Sequence, residues 1–209
     1  MPYIRLNSPD GEEIPDSNVI IDFLRRKYNI DDKEFALLSA EERSVAHAVT
    51  RMVEEHTTQI GFYYRYGLHM QEFNDAVIPA DWFGSGGGGV SIKTWFISKV
   101  WTYMMQGTFK RKQKWVPYGR HSNDEKWAFS CEDIQAISWY LGETRYFFGD
   151  DATTIECTLF GHLAQFLYIP LDFPQKHYIN RKCSNVVAYV ERFKEQYWRD
   201  WDDINAATR

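Results

Sequence analysis

A helix that needs other helices around it is written into Thr153-Thr-Ile-Glu-Cys-Thr-Leu-Phe-Gly-His-Leu-Ala-Gln-Phe-Leu167. Thr153 followed three residues later by Glu156 is a capping box: the hydroxyl accepts from an exposed backbone N–H while the carboxylate reaches back to the N–H of the cap itself. Behind that start, Ile155, Leu159, Leu163 and Phe166, with Phe160 and Leu167 beside them, recur at three- and four-residue steps. Only Gln165 on the far side is strongly polar, so the spacing predicts a helix enclosed by neighbours rather than laid on a surface. It reads as the central core helix of a mainly α domain, with Thr153 and Glu156 in a structural capping role.

Two more capping boxes mark further helices. Ser39-Ala-Glu-Glu42 opens a long one, with Val45, Val49, Met52, His56, Ile60 and Tyr63 along one side to about Tyr66. Ser122-Asn-Asp-Glu125 opens another, which carries Trp127, Cys131, Ile134, Ser138 and Leu141 and stops at Gly142. After the loop bounded by Pro170 and Pro174, a last helix is expected from about Ser184 to Trp198.

The first 28 residues differ in kind. Tyr3 to Leu6 reads as a short strand, Asn7-Ser-Pro-Asp-Gly11 is turn chemistry, and Glu12 to Ile14 returns as a second strand. Asp16-Ser17 then caps a helix over 19–28. A two-stranded hairpin is marginal by itself in water, so this piece must lean on something else.

Aromatic residues make up 17% of the 209, which predicts a thick core and some exposed aromatic surface. A net charge of -5 argues against nucleic acid as the main partner. No window holds the roughly 18 apolar residues of a membrane span. Met1-Pro-Tyr-Ile-Arg5 lacks the basic and apolar regions of a secretory signal. Cys131, Cys157 and Cys183 stand far apart without metal-ligand spacing, so buried thiols and a cytoplasmic location are expected.

Three local signals point to chemistry and are answered by simpler readings. Glu54, Glu55 and His56 are consecutive and face different ways on a helix, so an ordinary helix surface is expected there rather than a metal site. Gly84-Ser-Gly-Gly-Gly-Gly89 lacks the Lys-Ser or Lys-Thr of a phosphate loop and reads as a flexible connection. From Val90 to Trp115 an apolar stretch ends in Phe109-Lys-Arg-Lys-Gln-Lys-Trp115. A core helix followed by a solvated basic turn is expected, with peripheral membrane contact as the competing reading.

Taken together, the hairpin, the Asp-Ser cap, the long helix and Gly149-Asp-x-x-Thr153-x-x-Glu156 resemble a glutathione S-transferase-type chain. More narrowly, Ala48-Val-Thr-Arg-Met-Val-Glu-Glu-His56, Gly119-Arg-His-Ser122 and Thr158-Leu-Phe-Gly-His-Leu-Ala-Gln165 resemble the failed axon connections family, relatives of the metaxins and of cadmium-responsive nematode proteins. The resemblance implies residues 1–30 as the C-terminal remnant of a thioredoxin-like domain and 37–202 as a glutathione S-transferase C-terminal-like helical domain. It also implies a glutathione half-site: Met1 and Pro2 at the cysteinyl part, Asp16 and Ser17 at the glutamyl end. A plain helix cap explains Asp16 and Ser17 equally well. On the same resemblance the chain begins after the segment that carries the thiol-activating Tyr, Ser or Cys, so no catalytic residue is expected.

Two functional readings follow. One is a non-catalytic interaction protein with a role in axon development, bound to a protein partner or to a second copy, and requiring no cofactor. The other is a glutathione-dependent transferase or detoxification protein, with glutathione as its ligand.

Overall fold

The computed structural model describes residues 3–7, 11–28, 38–77 and 92–203, and the chain divides into two compact units, Met1–Arg43 and Ser44–Arg209. In the first unit Tyr3–Arg5 (β1) and Glu13–Pro15 (β2) pair antiparallel, with Ile4 opposite Ile14 and Arg5 opposite Glu13. The Arg5 Nε donates to Glu13 at 3.0 Å across that pair. Gly11, at φ +58, takes the left-handed backbone that the turn requires and that only glycine adopts without strain. Ser17–Lys27 follows as helix α1, its last turn carrying Arg25, Arg26 and Lys27 where cations complement the helix dipole.

The long helix after Ser39 is capped as its sequence predicts. The Ser39 N–H donates to the Glu42 carboxylate at 2.7 Å, which holds that carboxyl below its ordinary range, and the Glu42 N–H returns to the Ser39 hydroxyl at 3.2 Å. The rod is built from Ala40–Met52 (α2), a wide π turn Val53–Thr57, Thr58–Phe62 (α3) and a second π turn Tyr63–Leu68. Each π turn holds about one residue more than an α turn, so the buried stripe moves forward along the sequence. Val53, Thr57, Ile60 and Tyr64 are closed off from water, as are Thr58, Gly61, Arg65 and Gly67 beside them, while His56 and Tyr63 are half-buried. The expected stripe through His56 and Tyr63 is therefore corrected by one residue.

Met70–Val77 (α4), Ile92–Lys112 (α5), Asn123–Leu141 (α6), Thr154–Leu167 (α7), Pro174–Lys182 (α8) and Ser184–Tyr197 (α9) complete the second unit. Helix α8 is a part of the fold that sequence spacing did not predict. Its signal is Pro174 at the first helical position, where the missing N–H costs nothing. Helix α7 packs against α8, α9 and the first π turn. Ile155, Leu159, Phe160, Leu163 and Phe166 are all buried in one cluster with Ile134, Phe173, Ile179, Val186 and Val190. The cluster makes the mainly α class a matter of packing: the apolar stripes of α6 to α9 and of the long rod close over one another. At the C-terminal end of α6, Asn185 of α9 donates to the carbonyls of Ser138 at 2.8 Å and Gly142 at 2.9 Å, satisfying groups the helix leaves open.

Three expectations need correction. Helix α7 is not enclosed all round: Thr154, Cys157 and Gly161 form an exposed strip along it. The cysteines are not uniformly buried, because Cys183 is buried, Cys131 half-buried and Cys157 exposed. From Lys99 on, helix α5 is not a core helix: one side packs, with Thr102 buried and Phe109 against Tyr66 at 4.9 Å, while Val100, Trp101, Tyr103 and Met104 are exposed. Among the described residues no helix is long and apolar enough to cross a membrane. The glycine run at 84–89 lies outside the described residues.

Candidate functional site

Asp16 occupies the cap position of α1 with φ +73, a left-handed conformation in which aspartate is tolerated at some cost because its short side chain bonds locally. Its carboxylate accepts from the Val19 N–H at 3.4 Å and its carbonyl from the Ile20 N–H at 2.9 Å. Ser17 is exposed at the first helical position. The two residues thus sit together at a helix N-terminus, where oriented N–H groups favour an anion such as a carboxylate. Met1 and Pro2, the other half of the expected glutathione site, lie outside the described residues. In the same unit an open cleft of about 580 Å³ runs between the second strand and α1, lined among others by Ile14, Pro15, Val19 and Phe23 with Arg26 and Lys27 at its rim. Asp16 and Ser17 are not among its lining residues.

A second polar group lies in the helical unit, around the first π turn. The Thr57 hydroxyl donates to Asp133 of α6 at 2.6 Å, and His56 Nδ1 meets the same carboxylate oxygen at 2.6 Å. The His56 ring is bracketed by Tyr118 at 5.2 Å and Phe129 at 6.4 Å. One residue further on, the Thr58 hydroxyl meets His162 Nδ1 of α7 at 2.8 Å. Burial pulls the His162 pKa below its ordinary value, opposed by the nearby Glu54 carboxylate. The π turn is what lets adjacent threonines serve two different helices, since the widened backbone spreads consecutive side chains over a larger arc. The chemistry is structural: buried hydroxyls and rings satisfy one another across three elements. The sequence signal was the Thr57-Thr58 pair, polar and β-branched in the middle of a long helix.

Arg65 of the second π turn is also buried, with its guanidinium donating to Gln165 at 2.6 Å and to the Tyr66 hydroxyl at 3.2 Å. Its charge lies near the rings of Phe62, Tyr66 and Phe73, at 5.2 to 5.5 Å. Among the described residues no group of three histidine, cysteine or acidic side chains could hold a metal ion. Burial pushes the thiol of Cys131 up to about 11 and raises that of Cys183, the reverse of what nucleophilic thiols need. Thr153 and Glu156 hold the start of α7, with the Thr153 N–H at 2.6 Å and its hydroxyl at 2.8 Å from the Glu156 carboxylate.

Comparison with known proteins agrees with this architecture. Residues 1–73 match the glutathione S-transferase N-terminal domain and residues 131–193 the glutathione S-transferase C-terminal domain. Failed axon connections of Drosophila melanogaster is 32% identical over 222 residues, an alignment covering 98% of this chain and 48% of that protein. Mouse metaxin-2 is 29% identical over 107 residues, covering 51% of this chain and 41% of that protein. The isoprene-epoxide glutathione S-transferase of Rhodococcus sp. (strain AD45) is 28% identical over 206 residues, covering 94% and 77%. The chain thus spans about half the length of Failed axon connections. No solved structure matches it. The fold, the paired domain matches and the near full-length alignment place this chain in the glutathione S-transferase-like family that includes Failed axon connections and the metaxins.

Proposed function

We propose that this protein is a non-catalytic interaction protein that binds a protein partner through aromatic side chains of its helical unit, with a role in axon connections such as the name of its Drosophila relative states. Trp139 carries the reading. It is 77% exposed on α6, a helix whose opposite side is buried, and the adjacent Tyr140 stacks on Phe147 at 4.5 Å while remaining 45% exposed. Large aromatics at a surface are the residues that most often anchor protein contacts. In this reading the protein works in the cytoplasm, where its three cysteines stay reduced. Expression in flies lacking Failed axon connections is the test. Restored connections with the unaltered chain and not with Trp139→Ser support the proposal; no restoration, or equal restoration by both, overturns it.

The second reading is a glutathione-dependent transferase, favoured by the positive φ of Asp16 at the start of α1. Strained backbone of this kind tends to be retained where it serves a ligand. Calorimetric titration of reduced glutathione decides between the two. Saturable binding weakened by Ser17→Ala, with conjugation of chlorodinitrobenzene, selects the transferase; no heat at millimolar ligand and no conjugation select the interaction protein.

A further inference from the structure

The chain of net charge -5 contains a segment of opposite sign: residues 82–123 hold seven lysines and arginines and no aspartate or glutamate. Helix α5 lies inside it. Val100, Met104 and Arg111, with Tyr103 and Lys110 beside them, recur at three-, four- and seven-residue steps, so they share the side of α5 opposite its packed residues Thr102 and Phe109. Tyr103 is 79% exposed and Met104 64%, and Trp115, just past the helix end, is 89% exposed. Among the described residues, Lys110, Arg111, Lys112 and Lys114 make no ion pair with a carboxylate.

We propose that this face of α5, with the turn that follows it, docks on the surface of an anionic lipid bilayer. The mixture of side chains selects the occupant. Cations without acidic partners fit a negatively charged surface, while Tyr and Trp suit the headgroup layer, having an apolar body and a polar tip. Val100 and Met104 gain by leaving water for the acyl boundary, and a nucleic-acid backbone would offer them no such environment. A second copy of the chain fits poorly, because a twofold contact through this face would bring together two surfaces of the same positive sign, and residues 82–123 offer no carboxylate to pair Lys110 and Arg111. The helix lies along the membrane in this arrangement and does not span it.

Co-sedimentation of the full chain with vesicles of phosphatidylcholine alone, or with one quarter phosphatidylserine, tests the proposal. Binding is expected only with phosphatidylserine and weakens with salt. Replacing Lys110, Arg111, Lys112 and Lys114 by Ala lowers partitioning about fivefold per cation removed. Tyr103→Ser with Met104→Ser lowers it by about tenfold or more through lost apolar insertion. All six residues are at the surface, so unchanged far-ultraviolet circular dichroism separates lost binding from lost folding. Equal uptake by both vesicle types, no uptake, or uptake that survives the fourfold replacement overturns the proposal. So does a dimer in sedimentation velocity, with no vesicle uptake, that the Tyr103 and Met104 changes dissociate.

Discussion

Glu156 Oε1 accepts the backbone N–H of Phe147 at 2.8 Å while its Oε2 takes the N–H of Thr153 at 2.6 Å, so one buried carboxylate joins the loop before α7 to the first turn of α7. The capping box supplies only the second of these bonds. The first turns a local helix signal into a tertiary tie, and Phe147 carries it into the core cluster.

Removing that carboxylate leaves two backbone donors and a threonine hydroxyl without their acceptor in a site closed to water. Glu156→Ala is expected to lower the unfolding free energy by about 3 kcal/mol, and Glu156→Gln, which keeps one acceptor oxygen, by about 1 to 2 kcal/mol. Urea denaturation followed by circular dichroism reads both. A Glu156→Ala variant as stable as the original chain would show that the loop does not depend on the carboxylate.

Gly61 sits where the long rod meets α7, and a Cβ placed on it would lie 2.7 Å from the edge of the Phe166 ring. Gly61→Ala therefore forces the ring to move inside a packed cluster, at about 1 to 3 kcal/mol. Phe166→Leu makes room at the same spot. The double variant should lose less stability than the sum of the two single losses, and additive losses would count against the contact.

Cys157 lies on the exposed strip of α7, whereas burial raises the Cys131 thiol to about 11 and raises that of Cys183 as well. At pH 8 only about a thousandth of Cys131 is thiolate, the form that reacts. Titration with a disulfide reagent should show one fast thiol, absent in Cys157→Ser, and two that react only on unfolding. Fast reaction of two or more thiols in the folded chain would contradict this burial order.

Burial in the fold lowers the His162 pKa below the ordinary value of 6.5, the nearby Glu54 carboxylate offsetting part of the effect. The unfolded chain then binds the proton more readily than the folded one. This contribution to stability is fully present above the unfolded pKa and fades as the pH falls below about 6.5 towards the folded pKa. The urea midpoint should drop between pH 7.5 and pH 5.5 by more in the original chain than in His162→Gln, which keeps a polar group near Thr58. Equal drops would assign the pH dependence to other groups.

The candidate glutathione residues divide in the same way as these local ties. Asp16 and Ser17 could be placed at a helix start from sequence because capping chemistry is local, and both stand there. That Asp16 adopts φ +73 is not readable from the residue type, since the angle depends on how β2 hands the chain to α1.

Sequence by itself determined what depends on near neighbours. Three capping boxes fixed three helix starts, Gly142 fixed one helix end, and the three- and four-residue spacing of Ile155, Leu159, Leu163 and Phe166 fixed the buried side of α7. Tertiary structure decided what depends on contacts between distant segments. The π turn after Met52 moved the buried stripe from His56 to Thr57, because Asp133 and His162 on two other helices supply the partners that Thr57 and Thr58 take up. Packing also left the apolar side chains of Val100, Tyr103 and Met104 in water on the side of α5 away from Thr102 and Phe109. Apolar periodicity says which side chains avoid water; only packing decides which of them find cover.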